Sequence, residues 1–198
     1  MSFDLVTIPC LSDNYAFLLR DQTSGKVALI DVPEAAPITA KLDELGWTLT
    51  EIWLTHHHPD HIQGVPALIA DHPARVIGAK ADAERLPPLD AAYDDGQSFT
   101  FGAHTVDVID VSGHTVGHIA FHVPAAKCVF TADSLMALAR QSDIVIVACR
   151  ADESNRGMID AAIMEAVGAD GLLVNVARGQ LVQEAALIEA LTSGRLGG

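Results

Sequence analysis

Basic residues are scarce in this sequence: 12 Lys and Arg stand against 26 Asp and Glu, and the formal net charge is −14. The sequence pI is near 4.8. This acidic balance argues against binding to nucleic acid or to anionic membrane surfaces. It would also repel an anionic substrate, unless a metal ion or local Lys and Arg side chains reverse the field at the site.

Targeting and cross-linking signals are also missing. The N-terminus has no basic region followed by an apolar segment, so we expect no signal peptide and a cytoplasmic location. No apolar run reaches the roughly 18 residues of a membrane span. Cys10, Cys128 and Cys149 are far apart and form no CxxC motif. They are typical of buried thiols in a reducing compartment.

What the sequence does have is a concentration of ligand groups at 55–61, Thr-His-His-His-Pro-Asp-His, directly after a short apolar run that predicts a strand. His56 and His58 are two residues apart and project from the same side of an extended segment. Asp60 and His61 follow a proline, where a loop can turn into a helix. Imidazole and carboxylate together suit zinc, iron or manganese. The cluster therefore predicts a metal site; the alternative is a solvated polar loop.

The chain has the length and composition of a globular domain, with 198 residues of which 49% are hydrophobic and 19% charged. Apolar patterning bounded by turn residues predicts strands at 5–8, 15–20, 27–31, 51–55 and 75–78, followed by an antiparallel series of strands at 97–101, 105–111, 117–123 and 127–131. Helical spacing predicts helices at 37–45 and 62–70.

The pattern changes after about residue 140. Residues 143–149 form a continuous apolar run, which is typical of a strand buried on both faces. A helix at 154–167, a strand at 172–176 and a helix at 183–191 are predicted to follow. This β-α-β-α order predicts parallel pairing.

The signature His56-x-His58-x-Asp60-His61 is accompanied by three further motifs. They are Pro-Cys-Leu-Ser-Asp-Asn-Tyr at 9–15, Ser-Gly-His-Thr-Val-Gly-His at 112–118 and Phe-Thr-Ala-Asp-Ser-Leu at 130–135. Over residues 1–138 these motifs resemble the glyoxalase II (hydroxyacylglutathione hydrolase) branch of the metallo-β-lactamase superfamily.

The resemblance implies a set of metal ligands and a reaction. One metal would be held by His56, His58 and His114; a second would be held by Asp60 and His61, with Asp133 bridging the two. Asp60 would also act in catalysis by holding a hydroxide that attacks the carbonyl of a thioester such as hydroxyacyl-glutathione. The cofactor implied is zinc, one or two ions per chain, with iron or manganese as alternatives.

The resemblance to glyoxalase II stops before the end of the chain. No histidine occurs after His122, so the family's last metal-binding histidine has no counterpart. Its glutathione-contacting loop and C-terminal helical region are absent as well. We therefore expect impaired hydrolysis. The second metal site would either stay incomplete or recruit Cys149, Asp152 or Glu153.

Residues 140–198 resemble a different family. Ser-Asp-Ile-Val-Ile-Val-Ala-Cys at 142–149 and Gly-Leu-Leu-Val-Asn-Val-Ala-Arg-Gly at 171–179 are similar to the late cofactor-domain strands of D-2-hydroxyacid dehydrogenases. In that family the residue matching Arg178 would contact a substrate carboxylate. The chain contains no Gly-x-Gly pair, however, so the dinucleotide-binding fingerprint is missing.

We therefore predict an α/β chimera. Residues 1–139 form a metallo-β-lactamase-like αββα sandwich, and its C-terminal part is replaced by a βαβα segment of Rossmann-type origin at 140–198. The segment would pack in the same domain, with its first strand on the open sheet edge. The first functional hypothesis is a metal-dependent thioester hydrolase. The others are a metal-binding scaffold without turnover and an NAD-binding dehydrogenase fragment. An apolar tail of this kind also favours a dimer or domain swap.

Overall fold

The computed structural model describes residues 3–12, 14–140, 142–147, 151, 153 and 155–198. The chain divides into two units, Met1–Ala132 and Asp133–Gly198. The domain boundary expected at residue 139 stays a prediction.

The first unit contains a mixed six-stranded sheet, and its strands are adjacent in sequence order. They are β1 (Phe3–Cys10), β2 (Asn14–Asp21), β3 (Val27–Ile30), β4 (Glu51–Trp53), β5 (Arg75–Ala79) and β6 (Ala91–Tyr93). The first three strands pair antiparallel, and β3 to β6 pair parallel. Parallel neighbours need crossover connections. These are helix α1 (Ala35–Leu45) between β3 and β4, and helices α2 (Pro59–Ile62) and α3 (Val65–Asp71) between β4 and β5.

A second, antiparallel sheet completes the first unit, with the strand order β10-β9-β8-β7. Its strands are β7 (Ser98–Phe101), β8 (His104–Asp110), β9 (Ile119–Val123) and β10 (Cys128–Phe130). Each strand pairs with the next one along the chain. The antiparallel series predicted from the sequence is confirmed.

Side chains of the central parallel strands alternate between two cores. Leu29 and Ile52 belong to a cluster shared with α1 and α3. Ile30 and Trp53 belong to a second cluster, shared with the aromatic residues of the antiparallel sheet. The Trp53 ring is met edge-on by Phe101 at 5.2 Å between ring centroids. A helical layer, the mixed sheet and the antiparallel sheet are thus stacked in that order, and β3 and β4 are buried on both faces.

The second unit has a core of its own. It comprises helix α4 (Leu135–Arg140), strand β11 (Ile144–Val147), helix α5 (Ala161–Val167), strand β12 (Leu172–Asn175) and helix α6 (Glu184–Thr192). Strands β11 and β12 pair parallel. The parallel β-α-β-α order predicted for this part of the chain is confirmed.

Two predicted helices differ from those observed. The helix expected at 62–70 is two helices, because the chain passes Gly64 against Val32, where an added Cβ would lie 2.9 Å from the Val32 carbonyl oxygen. The helix expected at 154–167 begins only at Ala161, where Asp160 caps it by accepting from the Ile163 N–H at 2.9 Å. In the described part of the chain, no helix is long and apolar enough to cross a membrane.

The interpretation of 143–149 as a strand buried on both faces was wrong for its described part. Burial alternates along β11, with Ile144 56% and Ile146 61% exposed. Among the described residues, β11 pairs only with β12, in a separate two-stranded sheet. The expectation that this strand lies on the open sheet edge was therefore also wrong. A single core packs against one face of a two-stranded sheet, so the other face of its strands stays exposed.

Candidate metal centre

The candidate site lies where three neighbouring parallel strands end. Asp31 follows β3 directly, Thr55 and His56 come shortly after β4, and Asp82 closes the 3-10 turn after β5. All four of these residues are buried. The carboxyl ends of adjacent parallel strands lie at the same edge of a sheet, so side chains that are distant in sequence meet there.

Three of the predicted ligands in the first unit come together. His56, His58 and His114 each offer one ring nitrogen, and these nitrogens lie within 4.8 Å of one another. His58 Nδ1 and His114 Nε2 are 2.9 Å apart. His56 is fully buried, whereas His114 is exposed and comes from the loop between β8 and β9. The group therefore has a buried base and an open side.

Hydrogen bonds fix which nitrogens of two histidines carry a lone pair. The Asp31 carboxylate can only accept, so His61 Nδ1, at 2.8 Å, donates to it. Thr55 Oγ1 donates its one hydrogen to Asp31 at 2.8 Å and therefore accepts from His56 Nδ1 at 3.0 Å. In their neutral form, both imidazoles therefore have their lone pair on Nε2. Neutral histidines held in this way by a carboxylate or hydroxyl are the form that binds divalent metals.

A metal would also fit the three-histidine group chemically. The 2.9 Å approach of His58 Nδ1 to His114 Nε2 is a hydrogen bond, in which the two nitrogens share one hydrogen. For both nitrogens to bind a metal, that hydrogen would have to move to the other nitrogen of its own ring, which would leave two nitrogen donors facing the same space as His56. Three imidazoles with an open side match the donor set of zinc sites that retain a position for water.

Asp60 and His61 form a second pair beside this group. His61 Nε2 lies 3.7 Å from Asp60 Oδ2, and the His61 ring is 4.2 Å from the His56 ring. Asn14 also holds Asp60, because its amide donates to the Asp60 carbonyl at 2.8 Å and to Asp60 Oδ2 at 3.2 Å. The Asp60 side chain is 54% exposed, whereas that of His61 is 5% exposed.

The sequence interpretation missed several residues that support these ligands. Asp31 also accepts from the Thr55 N–H at 2.9 Å, and it has a left-handed backbone with φ 56°. His118, in the predicted strand 117–123, was not assigned to the site. It is fully buried, and its ring lies 4.5 Å from that of His56. The only signal for Asp31 is its position directly after an apolar strand. His118 could have been noticed from its spacing of four residues from His114.

His57 bonds to a different partner from the histidines on either side of it, although its ring lies 5.2 Å from that of His58. Its Nδ1 lies 2.9 Å from Oδ2 of the buried Asp82. Because a carboxylate only accepts, His57 donates here.

The remaining predicted ligands belong to the C-terminal part. Asp133 is the first residue of the second unit, and its role stays a prediction. Cys149 and Asp152 lie outside the described residues. Glu153 forms an ion pair with Arg156 at 2.6 Å. Arg178 follows a turn in which Asn175 donates to the Arg178 carbonyl at 2.9 Å.

The layered arrangement of the first unit, with histidines at the strand ends, is the metallo-β-lactamase fold. The crystal structure of BLEG-1 B3 metallo-β-lactamase matches with a TM-score of 0.57 and 22% identity, over 65% of this chain and 71% of that chain. ETHE1 from Myxococcus xanthus matches with a TM-score of 0.58 and 24% identity, over 84% of this chain and 68% of that chain. At these identities the similarity concerns the fold alone.

Sequence relatives define the two parts more closely. Hydroxyacylglutathione hydrolase of Ruegeria pomeroyi is 61% identical over 138 residues, which are 70% of this chain and 54% of the relative. The chain thus spans about half the length of that curated relative. The family "D-isomer specific 2-hydroxyacid dehydrogenase, NAD binding domain" matches residues 100–198.

Because the family model matches half of its length, the chain belongs to the dehydrogenase NAD-binding domain family. Its N-terminal part is similar to hydroxyacylglutathione hydrolases. Residues 100–132 of the family match lie in the first unit and include β8, β9 and β10 of the antiparallel sheet. The parallel βαβα architecture begins only in the second unit. The fold is therefore that of a metallo-β-lactamase whose C-terminal part is a Rossmann-type segment.

Proposed function

We propose that the first unit is a metal-dependent hydrolase domain that acts on small thioesters such as hydroxyacyl-glutathione. The observation that carries this proposal is the convergence of His56, His58 and His114 beside the Asp60–His61 pair. Similarity to hydroxyacylglutathione hydrolases supports it. Zinc is the metal that best suits the histidine-rich donor set, and iron or manganese are the alternatives.

In this proposal the ligands divide between two positions. His56, His58 and His114 would hold one metal; Asp60 and His61 would hold a second, and Asp133 would bridge them. A bound divalent metal would supply an acidified water and polarise the thioester carbonyl.

The chain's own residues prepare this chemistry. The exposed carboxylate of Asp60 would accept a hydrogen bond from the attacking water and so orient it. Asn14 fixes the Asp60 carboxylate. Asp31 and Thr55 fix the two histidine tautomers, so that no proton has to move within the ring before metal binds.

We further propose that turnover is low. No histidine occurs after His122 in this sequence, so His61 would supply the one imidazole at the second metal position, which would otherwise depend on the carboxylates of Asp60 and Asp133. A misplaced nucleophile alone can cost about 100-fold in rate. We interpret the chain as a chimera of two family fragments, since its two parts are similar to unrelated families.

The same shortage of imidazoles at the second metal position favours a second candidate, a metal-binding scaffold without turnover. It would share the three-histidine site and differ only in lacking hydrolysis.

Metal content and thioesterase activity together test these proposals. The protein is stripped with chelator, reloaded with zinc, and assayed for bound zinc by plasma mass spectrometry and for hydroxyacyl-glutathione hydrolysis with and without chelator. We expect one to two zinc ions per chain and slow, chelator-sensitive hydrolysis. His114→Ala should abolish both, whereas His122→Ala, a histidine paired with Asp107 outside the group, should abolish neither. Bound zinc with no hydrolysis above the rate in buffer alone would exclude the hydrolase and support the metal-binding scaffold. The absence of bound zinc would contradict both proposals.

A further inference from the structure

We propose that Asp82 and Arg85 form a clamp that sets the separation between the two segments carrying the metal-binding histidines. In this role they are positioning residues, and neither is a metal ligand. The inference rests on the proposed metal site, and it concerns groups that the proposed reaction does not use.

Asp82 is the buried centre of the clamp. Its side chain is fully buried, and it lies at the end of the 3-10 turn Lys80–Asp82 that follows β5. One carboxylate oxygen accepts from His57 Nδ1 at 2.9 Å. His57 stands between His56 and His58, so this bond ties the backbone of the first ligand segment to the turn.

Arg85 extends the clamp to the second ligand segment. Its Nε lies 2.6 Å from Asp82 Oδ1, an ion pair rather than a directed hydrogen bond. Its Nη2 donates to the Val116 carbonyl at 2.7 Å. Val116 is two residues after His114, so one guanidinium links the buried carboxylate to the loop that carries the third histidine.

The backbone of that loop lies directly against the clamp. Gly117 has φ 86°, and a Cβ added there would be 3.1 Å from Asp82 Cβ and 3.2 Å from the Asp82 nitrogen. Contact this close leaves the loop little room to move toward the turn, while the Arg85–Val116 bond prevents it from moving away. The spacing between His58 and His114, 2.9 Å between ring nitrogens, is thus set by groups outside the metal site.

A purely structural role for the clamp makes a different prediction. Asp82 is fully buried, so its replacement removes the partner of two groups and threatens folding. Arg85 is 44% exposed, so its replacement should leave the fold intact. Arg85→Gln removes the charge, and Arg85→Lys keeps the charge but cannot reach both Asp82 and the Val116 carbonyl. A structural role would let Lys rescue the protein, whereas the clamp requires the planar guanidinium.

The test compares Arg85→Gln, Arg85→Lys and Lys80→Gln with the parent protein. Lys80 is the matched control, because it lies in the same turn and its side chain forms an exposed ion pair with Asp94 at 3.0 Å. Zinc affinity is measured by competition with a chromophoric chelator, the coordination geometry by the visible absorption of the cobalt-substituted protein, and the fold by the melting temperature of the metal-free form.

Both Arg85 variants should bind zinc about 10-fold more weakly, the lower end of the effect of outer ligand-supporting groups. Their cobalt spectra should change, and the metal-free melting temperature should stay within about 3 °C of the parent. Lys80→Gln should match the parent in all three. Parent-like affinity and spectra in Arg85→Gln, or full rescue by Arg85→Lys, would overturn the clamp while leaving the metal site in place. Failure of the parent protein to bind zinc would overturn the metal site, and the clamp with it.

Discussion

The two units contain apolar parallel strands of similar composition, yet they bury them differently. In the first unit, β3 and β4 are buried along their whole length, because helices cover one face of the sheet and the antiparallel sheet covers the other. In the second unit, β11 has the sequence Ile-Val-Ile-Val and exposes every second residue. An apolar run therefore indicates how much burial a strand can accept, and the layers around it decide how much it receives.

A matched pair of isoleucines gives the strongest test of this difference. Ile52 in β4 is fully buried, and Ile146 in β11 is 61% exposed. We expect Ile52→Ala to lower the free energy of unfolding by about 2–5 kcal/mol, because it leaves a cavity in a packed core. Ile146→Ala should cost less than about 1 kcal/mol. Denaturant unfolding followed by circular dichroism measures both. Equal losses would mean that the outer face of β11 is covered in solution.

Metal addition should separate the two units next. Zinc at 100 times its dissociation constant would stabilise the folded state by about 2.7 kcal/mol, since it binds the folded form only. The ligands in the first unit lie at 56–61 and at His114, so hydrogen exchange should slow around them, whereas amides of β12 should be unchanged. Protection spread evenly over both units would contradict the separation. Magnesium, which prefers oxygen ligands, is the control.

Glycines in left-handed conformations offer a smaller test. Gly102, with φ 60°, approaches Asp21 so closely that an added Cβ would lie 2.8 Å from Ser24 Oγ and nearer still to the Asp21 carboxylate. Gly194, with φ 71°, has no atom within 4 Å of such a Cβ. Alanine at either position costs about 1–2 kcal/mol for the backbone. Gly102→Ala should cost about 1–3 kcal/mol more than Gly194→Ala, because it also displaces a buried side chain. Equal losses of stability in thermal unfolding would show that the Asp21 side chain can move aside at little cost.

Acid sensitivity is the smallest expected effect and belongs to the first unit. Burial acts to raise the pKa of Asp21, but hydrogen bonds from Ser24 and Thr23, with the nearby His104, lower it overall. A lowered pKa in the folded state stabilises the protein above the unfolded value, about 3.9, and this contribution is lost as pH falls through the folded value. Melting temperatures between pH 5 and pH 2 should therefore fall less steeply in Asp21→Asn than in the parent. Parallel curves would contradict this.

The ligand types of the candidate site were predictable, whereas their supports were not. The spacing of His56, His58, Asp60 and His61 is a local pattern, and one strand is enough to place it. Asp31 and Asp82 have no such pattern, because each acts only through neighbours that come from another strand end. Which strands are neighbours is a property of the fold. The left-handed backbone of Asp31 could not be predicted from the sequence either, because the residue that usually marks this conformation is glycine.

The fold itself was predictable where short-range signals agreed. Alternation and turn residues gave the antiparallel series from β7 to β10, and the order of elements gave the parallel pairing of the second unit. The helix predicted at 154–167 failed because Gly157, with φ 67°, and the Asp160 cap delay its start. Periodicity alone does not detect such a delay, since Ile159 and Ile163 have the i, i+4 spacing of one helix face.

The placement of Asp31, His56 and Asp82 after three consecutive parallel strands has one more consequence. In a pleated strand, a slip of one residue turns every side chain to the other face. The register in which Leu29 faces Ile52 and Ile52 faces Val76 therefore also determines which of these polar groups meet. Any variant that shifts one of these strands would misalign the ligands even with every histidine retained. The hydrogen bonds between the strands therefore also set the geometry of the cation site.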